Sequence, residues 1–575
     1  MLDSETVETV SSAPNIPAKS SPAARIGWAV LILVTLYVCY FSHLGAIGFV
    51  GPDEPRYAWI ARDMAETGDW VTPRLYGKPW FEKPPLFYWG AALSFRLFGV
   101  SEAAARLPSA ISAFLATLAL AWLALRFYGA ETARWLLLLL PTTVGMIGFS
   151  HAAATDMPFS AMLTVAMVCA AVALGLTRNE NSPIIPQTPW LALLLFGFFL
   201  GLAVLAKGPA AIILSGGAVF FWAAFTKRWR DAFRLLHPAA IASFCITAFP
   251  WYTLCARRNP DFFRIFIIEH NFKRYLTPEF QHIQPLWFYV PVLLIAFLPW
   301  TGLLLWSAYT GAVHLWHTRT TRESTWLLIC WAGFSVVFFS AAQSKLPGYV
   351  LPAIPAISLI ISHQMAAVVS VHRRFLRHAL LSMGLILIVL SAVVKMIMPG
   401  ALRGYEAFGI RAGIVLALMA AANFILALLY APQIESRKHP FLAGASVAPF
   451  LFAMSVMGGL LSSYFHWDPS GRTLSKELIR RAIPATNLAV ANMSRGTRYS
   501  LSFYLRQEVA DWDGEHPQEG YLLLGSQSCK RRVPPTFECE QVPFDSDLTG
   551  RFLYKISLAK SAGGLAGSGE LEQKK

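Results

Sequence analysis

The sequence predicts a polytopic α-helical membrane protein with about thirteen transmembrane helices and a small C-terminal α/β domain. Three observations support this fold class. Of the 575 residues, 55% are hydrophobic and only 14% are charged, whereas a soluble protein has about 25% charged residues. Apolar runs of about 20 residues, the length that crosses a bilayer, recur along the chain. From about Ser462 onward the sequence is instead more polar, with short β-like runs.

The predicted membrane domain spans residues 26–463 and follows a polar, cytoplasmic tail at 1–25. The first apolar run lacks an obvious cleavage site, so we expect a retained helix and not a signal peptide. Short helices around Lys207 leave a total of twelve or fourteen open. The predicted helices are 26–48, 102–126, 133–151, 157–177, 190–206, 208–225, 235–256, 286–308, 325–343, 347–368, 378–398, 410–430 and 441–463.

Basic residues predict the orientation of these helices. With the N-terminus inside, every short inner loop contains at least one Lys or Arg, as the positive-inside rule requires. The two long outer segments, 49–101 and 257–285, are also basic, but long segments cross regardless of charge. An odd number of helices then places the C-terminal residues outside. The net charge of +15 is spread over many loops, which suits a partner of anionic lipids and not of nucleic acid.

The C-terminal residues 464–560 are predicted to form a small mixed α/β domain. The β-like runs are LAVANM, YSLSFYL, YLLLG and RFLYKISL, separated by polar, Gly and Pro turns. Cys529 and Cys539 would form a disulfide in an oxidising compartment, with two free thiols as the alternative. Residues 561–575, rich in Gly and polar residues, are expected to be disordered.

Ionisable residues gather on the predicted outer face. Such residues at membrane depth are costly and tend to be functional. They come from the first outer segment, from the turn before the fourth helix and from three later stretches: Asp53, Glu54, Arg56, Glu82, Lys83, His151, Asp156, Lys207, Glu269, His270, Lys273, Arg274 and Lys345.

Structural roles are open for the acids and for the histidine. Asp53 and Glu54 would then solvate a helix end. Asp156 would be the N-cap of the fourth helix, with a proline in the first turn. His270 would be a hydrogen-bonded structural histidine and not a ligand.

Structural roles are equally open for the cations and for one tyrosine. Arg56 and Lys83 would extend to lipid headgroups. Lys207, followed by Gly-Pro, would simply mark a turn between helices. Tyr349 would belong to the interfacial belt of aromatic residues.

Carboxylates and cations together at a lipid–water boundary fit the transfer of a sugar from a lipid-phosphate carrier. The transition state resembles an oxocarbenium ion, which a carboxylate stabilises. The leaving phosphate gains charge, which Arg and Lys stabilise in a water-poor site. A carboxylate is also a candidate general base for the acceptor.

Several motifs resemble those of the membrane glycosyltransferases with the GT-C fold. They are Asp53-Glu54, GDW at 68–70, EKPPLFYW at 82–89 and ARLPS at 105–109. The resemblance is to the branch that contains protein O-mannosyltransferases and bacterial lipid A aminoarabinose transferases. QSKLPGYVLP at 343–352 and IEHNFKRY at 268–275 favour the aminoarabinose transferases. The similarity extends to about residue 460 and is weaker in the C-terminal domain.

The resemblance implies a reaction and its setting. Undecaprenyl phosphate-linked 4-amino-4-deoxy-L-arabinose would donate its sugar to a lipid A phosphate, with inversion, at the periplasmic face of a Gram-negative inner membrane. The product would weaken binding of polymyxin and other cationic peptides. We expect a monomer that contacts membrane lipids. The alternatives are a related transferase for another sugar or a protein hydroxyl and, less in keeping with the charges at one face, a lipid or drug transporter.

Site roles follow from the residues and from this resemblance. Asp53 and Asp156 match the family's catalytic acids. The predicted donor-phosphate ligands are Arg56, Lys83, Lys207, Lys345, Tyr349 and Arg274. No cofactor is expected to be required, although Glu82 and His270 are a possible oxygen and nitrogen pair for zinc.

Overall fold

The computed structural model describes residues 22–176, 189–276, 283–318, 321–371, 470–513, 516–524, 533–543 and 552–558, together with Cys529 and scattered positions between 381 and 428. The predicted helices 378–398, 410–430 and 441–463 lie wholly or largely outside these residues. The predicted disordered tail, 561–575, also lies outside them.

Residues 22–258 are mainly helical. Their helices are α1 (Pro22–Tyr40), α2 (Asp53–Thr67), α3 (Leu86–Phe98), α4 (Glu102–Tyr128), α5 (Ala130–Leu139), α6 (Val144–Ser150), α7 (Asp156–Ala173), α8 (Trp190–Lys207), α9 (Ala210–Thr226), α10 (Trp229–Phe233) and α11 (Pro238–Arg258). Between α2 and α3, the strands β1 (Arg74–Leu75) and β2 (Lys78–Pro79) form a small hairpin.

Residues 264–371 continue the membrane domain with less regular helices. They contain a π-helix (Arg264–Lys273), α12 (Arg274–Leu276), a 3₁₀ helix (Leu286–Phe288), α13 (Tyr289–Ala296), α14 (Thr301–Thr318), α15 (Glu323–Ala341), a second 3₁₀ helix (Pro347–Ala353) and α16 (Ile354–Val371).

Within the described residues, six helices are long and apolar enough to cross a membrane: α4, α7, α8, α11, α15 and Pro347–Ala367. The pair α5 and α6 makes a seventh candidate, bent by 62°. Three shorter apolar helices are Arg25–Tyr40, Ala210–Thr226 and Leu286–Ala296. The chain is therefore a multi-pass membrane protein, and the total of thirteen helices stays a prediction.

Two of the predicted spans are wrong as continuous helices. The span 133–151 is interrupted between α5 and α6, where Pro141 lies, and Thr143 begins α6 by accepting a hydrogen bond from the Met146 N–H. The span 286–308 is interrupted between α13 and α14, where Pro299 lies. Proline lacks the N–H that continues a helix, and apolar periodicity does not show such a break.

Small residues allow the membrane helices to pack closely. A Cβ atom at Gly197 of α8 would lie 2.1 Å from the Ala240 carbonyl oxygen of α11. A Cβ at Gly217 of α9 would lie 2.1 Å from the Phe334 ring of α15. Close backbone approach through glycine is typical of helix packing in membranes, where water does not drive helices together.

The turns predicted to be cytoplasmic meet at one end of the helix bundle. Arg228, before α10, forms ion pairs with Asp231 and with Glu323 at the start of α15. The Trp222 indole donates to the Glu323 carbonyl at 3.0 Å, and the Tyr128 hydroxyl lies 2.8 Å from that of Thr325. The ionisable residues of the first outer segment lie at the opposite end.

The C-terminal domain is an α/β unit. It contains α17 (Arg472–Arg480), α18 (Arg495–Leu505), β3 (Leu488–Ala491), β4 (Ala510–Asp511), β5 (Gly520–Leu524), β6 (Phe537–Val542) and β7 (Phe552–Leu558). The strands form one sheet in the order β4-β3-β5-β7-β6, in which β3 runs parallel to β4 and β5. The structure contains the predicted disulfide between Cys529 and Cys539.

One predicted strand of this domain is wrong, because YSLSFYL lies in helix α18. Its alternating residues imitate a strand pattern. However, Ser494 accepts a hydrogen bond from the Thr497 N–H and caps the helix. The buried side chains Thr497, Ser500 and Leu501 then follow helical spacing.

The C-terminal domain packs directly on the outer end of the membrane domain. The Tyr504 hydroxyl donates to Glu102 at 2.7 Å and accepts from the Phe49 N–H at 3.2 Å. Arg472 donates to the same Glu102 carboxylate at 3.2 Å. The start of α4 and the segment between α1 and α2 therefore hold the domain in place.

Candidate active site

Glu54 anchors the start of α2. Its two carboxylate oxygens accept from the Arg106 guanidinium, each at 2.9 Å. They also accept from the N–H groups of Val50 and Ala153, each at 2.8 Å. Glu54 is only 8% exposed and Arg106 only 2%, so the interpretation of Glu54 as a solvated helix end is wrong. This buried pair joins the first outer segment to α4 and to the turn before α7.

Asp53 points away from that buried pair and stays accessible. Half of its side chain is exposed, and it forms an ion pair with Arg56 one helical turn later. Arg56 Nη1 lies 3.1 Å from Glu82 Oε2, and Lys83 Nζ lies 3.8 Å from Glu82 Oε1. These residues, Asp53, Arg56, Glu82 and Lys83, form what we call the first-loop cluster.

The hairpin before α3 places Glu82 and Lys83 in this cluster. Asp69 accepts from the N–H groups of Val71 and Thr72 and from Arg258 at the end of α11. Burial raises the pKa of Asp69, but these hydrogen bonds outweigh it and lower the pKa. The aspartate of the GDW motif therefore has a structural role.

Three aromatic rings surround Arg56. Its Cζ atom lies 5.7 Å from the ring centre of Tyr57, and 5.5 Å from those of Trp80 and Tyr499. Burial by itself lowers the pKa of Arg56, but the Glu82 and Asp53 carboxylates outweigh it and hold the pKa above its ordinary value. A guanidinium in these surroundings does not extend to lipid headgroups, so that alternative is wrong.

A second ion pair lies at the start of α7. Lys207 Nζ is 2.5 Å from Asp156 Oδ1 and 4.6 Å from the ring centre of Tyr349. Thr155, and not Asp156, occupies the N-cap position. Lys207 is the last residue of α8, and Gly208 turns the chain toward α9, so the turn and the ion pair coexist. We call Asp156, Lys207 and Tyr349 the second cluster.

Gly348 makes room for the second cluster. A Cβ atom there would lie 2.5 Å from Asp156 Oδ1 and 2.9 Å from the Phe149 ring. The 3₁₀ helix that contains Gly348 and Tyr349 therefore contacts the carboxylate directly. Tyr349 faces Lys207 and Phe339, which is inconsistent with a lipid-facing belt position.

One cavity joins the two clusters. It has a volume of about 340 Å³, and Lys83 and Lys207 both line it. His270, Tyr275 and Tyr349 contribute to the same wall. Lys83 has only 12% of its side chain exposed, so it faces this cavity and not the lipid headgroups.

Other predicted residues lie outside this arrangement or are engaged elsewhere. Lys345 is buried and donates to the Gln284 carbonyl at 2.8 Å. Glu269 pairs with Arg264 at 2.6 Å. The ring nitrogens of His151 lie 3.0 Å from the Ile147 carbonyl and 2.9 Å from that of Ser42. The Arg274 side chain is outside the described part of the structure.

The donors at Glu82 and His270 do not fit a dedicated zinc site. Among the described residues, no group of three or more His, Cys, Asp and Glu side chains could hold a metal ion. The Glu82 carboxylate is also already engaged by Arg56 and Lys83. A structural zinc site has four protein ligands and a catalytic one has three.

Comparison with known proteins identifies the family. Residues 26–266 match the model of the dolichyl-phosphate-mannose-protein mannosyltransferases. An Edwardsiella ictaluri protein, named undecaprenyl phosphate-α-4-amino-4-deoxy-L-arabinose arabinosyl transferase, is 30% identical over 386 residues, which is 67% of each chain. This chain belongs to that arabinosyl transferase family. It is a membrane glycosyltransferase.

Further comparisons agree with this family. The arabinosyl transferase of Erwinia tasmaniensis is 30% identical over 375 residues, which cover 65% of this chain and 66% of that protein. The matches thus span about two thirds of these relatives' length. A crystal structure of ArnT from Cupriavidus metallidurans bound to undecaprenyl phosphate has a TM-score of 0.77 at 24% identity, covering 95% of this chain and 100% of that one. The GT-C fold is confirmed.

Some residues of this arabinosyl transferase site were not predicted from the sequence as site components. Arg106 lies in the ARLPS motif, but nothing there marks its partner as Glu54. Trp80 and Tyr499 face Arg56, yet Tyr499 lies in a run that imitates a strand. Contacts between such distant segments have no local sequence signal.

Proposed function

We propose that this chain transfers 4-amino-4-deoxy-L-arabinose from undecaprenyl phosphate to a phosphate of lipid A, at the periplasmic face of a Gram-negative inner membrane. The supporting observation is the cavity shared by the two clusters, in which two lysines each lie beside an acid. Family membership supports the lipid-linked donor. The lipid A acceptor and the cellular location are part of the proposal.

The charges of the two clusters favour an amino sugar. They contain three acids and three cations: Asp53, Glu82 and Asp156, with Arg56, Lys83 and Lys207. A donor with one anionic phosphodiester and one ammonium group adds no net charge to this balance. A donor with a neutral sugar would instead add one negative charge to the site, on top of the charge of the acceptor phosphate.

Transfer then proceeds by displacement at the anomeric carbon of the sugar. An oxygen of the acceptor phosphate forms the new bond to that carbon from the face opposite the donor phosphate. The bond between the carbon and the donor phosphate oxygen breaks, and its electron pair stays on undecaprenyl phosphate. The configuration at the carbon inverts.

The lysines and Arg56 stabilise the departing phosphate. Arg56 uses three of its five N–H groups toward Pro52, Asp53 and Glu82, which leaves two for a ligand. Lys83 and Lys207 line the cavity as compact charges. Tyr349 keeps Lys207 in place through its ring. Lys345 donates to the Gln284 carbonyl and has no part in this step. Arg274 stays a donor ligand predicted from the sequence.

Asp53 stabilises positive charge on the sugar more than it removes a proton. A phosphomonoester has its second pKa at about 6, so the acceptor is already substantially ionised near neutral pH. Asp53 has an exposed carboxylate that is held by Arg56. In this proposal Asp156, paired with Lys207, also binds the ammonium group of the sugar.

We propose that one chain suffices and that no metal is required. All six charged groups of the clusters come from a single chain, and the cations supply the charge that a metal would otherwise supply. Transfer by purified protein should therefore persist in a chelator. Loss of transfer in chelator, and its return with added zinc, would contradict this part of the proposal.

Mass spectrometry of lipid A tests the proposed reaction. The chain would be expressed in a Gram-negative strain that lacks its own aminoarabinose transferase but makes the lipid-linked donor. We expect the wild type to add an aminopentose to lipid A and the Asp53→Ala variant to add none at equal membrane level. An unmodified lipid A with well-inserted wild type would overturn the proposal and favour a relative that uses another sugar or a protein hydroxyl.

A further inference from the structure

We propose that the C-terminal domain supplies a positioning residue to the active site. Tyr499 of α18 fixes the guanidinium of Arg56, so that the N–H edge of Arg56 faces the donor phosphate. This inference rests on the proposed function. It adds that the donor site is complete only when the C-terminal domain is docked.

Contacts between α18 and α2 fix the position of Tyr499. Arg62, only 4% exposed, donates to the Phe503 carbonyl at 2.9 Å, across 441 positions of sequence. The Arg62 Cζ atom also lies 4.8 Å from the Phe503 ring centre. A Cβ atom at Gly496 would lie 2.8 Å from the Gly51 backbone. These contacts leave little freedom to α18 against the start of α2.

In this position the Tyr499 ring, which belongs to the C-terminal domain, contacts Arg56 of the membrane domain. The Arg56 Cζ atom lies 5.5 Å from the Tyr499 ring centre, within the range of a cation–π contact. The Tyr499 ring is held in turn by Tyr76 of the first outer segment, 6.4 Å away between centres. Arg498 also contacts the Tyr499 ring and is itself paired with Asp511.

The orientation of the Arg56 guanidinium has to be fixed, because several anions attract it from different directions. Asp53 and Glu82 both attract the guanidinium, and donor binding adds a third anion. Aromatic rings contact a guanidinium without using its N–H groups. Tyr499 can therefore restrict the orientation of Arg56 while leaving N–H groups for the donor.

The test compares Tyr499→Phe, which keeps an aromatic ring, with Tyr499→Leu, which removes it. Arg495→Ala is the control, since Arg495 is exposed at the start of the same helix. We expect Tyr499→Leu to raise KM for the lipid-linked donor about tenfold, because the freed Arg56 side chain must then be ordered when the donor binds. The fall in kcat should be smaller, and Tyr499→Phe and Arg495→Ala should match the wild type.

A second measurement does not depend on transfer. The rate at which phenylglyoxal modifies Arg56, followed by peptide mass spectrometry of the full chain in detergent, reports how firmly the guanidinium is held. We expect faster modification in Tyr499→Leu and wild-type rates in Tyr499→Phe. If the wild type transferred no aminopentose, the proposed function would fail, while this measurement would still test the contact.

Two results would overturn the inference. One is an unchanged KM and an unchanged modification rate in Tyr499→Leu. The other is a Tyr499→Phe variant as impaired as Tyr499→Leu, which would assign the effect to the hydroxyl group. Should Tyr499→Leu fail to fold, Tyr499→Met fills more of the same space, and the same two outcomes apply to it.

Discussion

Asp53 and Glu54 are adjacent in sequence, yet their side chains have different neighbours. Glu54 is enclosed by Arg106 and two backbone N–H groups. Asp53 is half exposed beside Arg56. The sequence showed an acidic pair but not this division, because it depends on Arg106, which is distant in the chain.

Substituting Glu54 should destabilise the protein. Glu54→Ala leaves the buried guanidinium of Arg106 without its carboxylate, which typically costs about 3–5 kcal/mol. We expect a lower thermal unfolding midpoint in detergent and less protein in the membrane. The matched variant Asp53→Ala should keep the wild-type midpoint. An Asp53→Ala midpoint as low as that of Glu54→Ala would contradict this division of roles.

Substituting Asp53 should reduce transfer at every pH. If Asp53 stabilises charge on the sugar, Asp53→Asn should lower kcat on the order of 100-fold, both at pH 5 and at pH 8. The measurement is the initial rate of lipid A modification across this range. Full recovery of the variant above the second phosphate pKa of about 6 would instead assign Asp53 the role of general base.

The 3₁₀ helix Pro347–Ala353 shows how one small residue positions an ion pair. Gly348→Ala places a Cβ atom against Asp156 Oδ1. The carboxylate must then shift relative to Lys207, and a misplacement of about 1 Å can lower the rate on the order of 100-fold. We expect lower kcat/KM from Gly348→Ala at an unchanged amount of folded protein.

A glycine in a different setting provides the control for that substitution. Gly333 of α15 has nothing within 4 Å of the position where a Cβ would lie. Gly333→Ala should therefore keep the wild-type kcat/KM in the same initial-rate measurement. Equal activity of both variants would show that Asp156 tolerates displacement.

The elements that could be predicted from the sequence are those with long, regular apolar runs. Helices α4, α7, α8, α11 and α15 lie close to their predicted ranges. The helix breaks at Pro141 and Pro299 were not predicted, because the mean hydropathy of an apolar run hardly changes when it contains a single proline. The prediction of a strand at YSLSFYL was wrong. The alternating residues indicated a strand, but the Ser494 cap shows that a helix begins there.

The candidate site was predicted in its residue types but not in its pairings. Asp53, Arg56, Lys83, Asp156, Lys207 and Tyr349 were named from the sequence. The structure places Lys83, Lys207 and Tyr349 on one cavity, with Arg56 joined to Lys83 through Glu82 and with Asp156 paired to Lys207. Glu82 contacts both Arg56 and Lys83 because of the geometry of the β1–β2 hairpin. Strands of only two residues give no pattern from which that hairpin could be predicted. Lys345 was named as well but donates to Gln284.

The orientation of the whole chain can be tested by labelling. We expect Lys78→Cys, in the exposed hairpin, to react with a membrane-impermeant maleimide in intact spheroplasts. Arg230→Cys, exposed at the opposite end of the bundle, should react only after the membrane is opened. The wild-type chain measures the background from its own cysteines. Labelling of Arg230→Cys alone in intact cells would reverse the proposed topology.

The buried pair of Glu54 and Arg106 also has a consequence for the order in which the protein is made. All its partners, from Leu44 to Ala153, leave the ribosome before α8 is synthesised. Arg472 and Tyr499 follow α16 in the chain. A nascent chain can thus assemble its acid-and-base framework early, while the Tyr499 ring reaches Arg56 only after α18 has been made. The enzyme would remain idle until then.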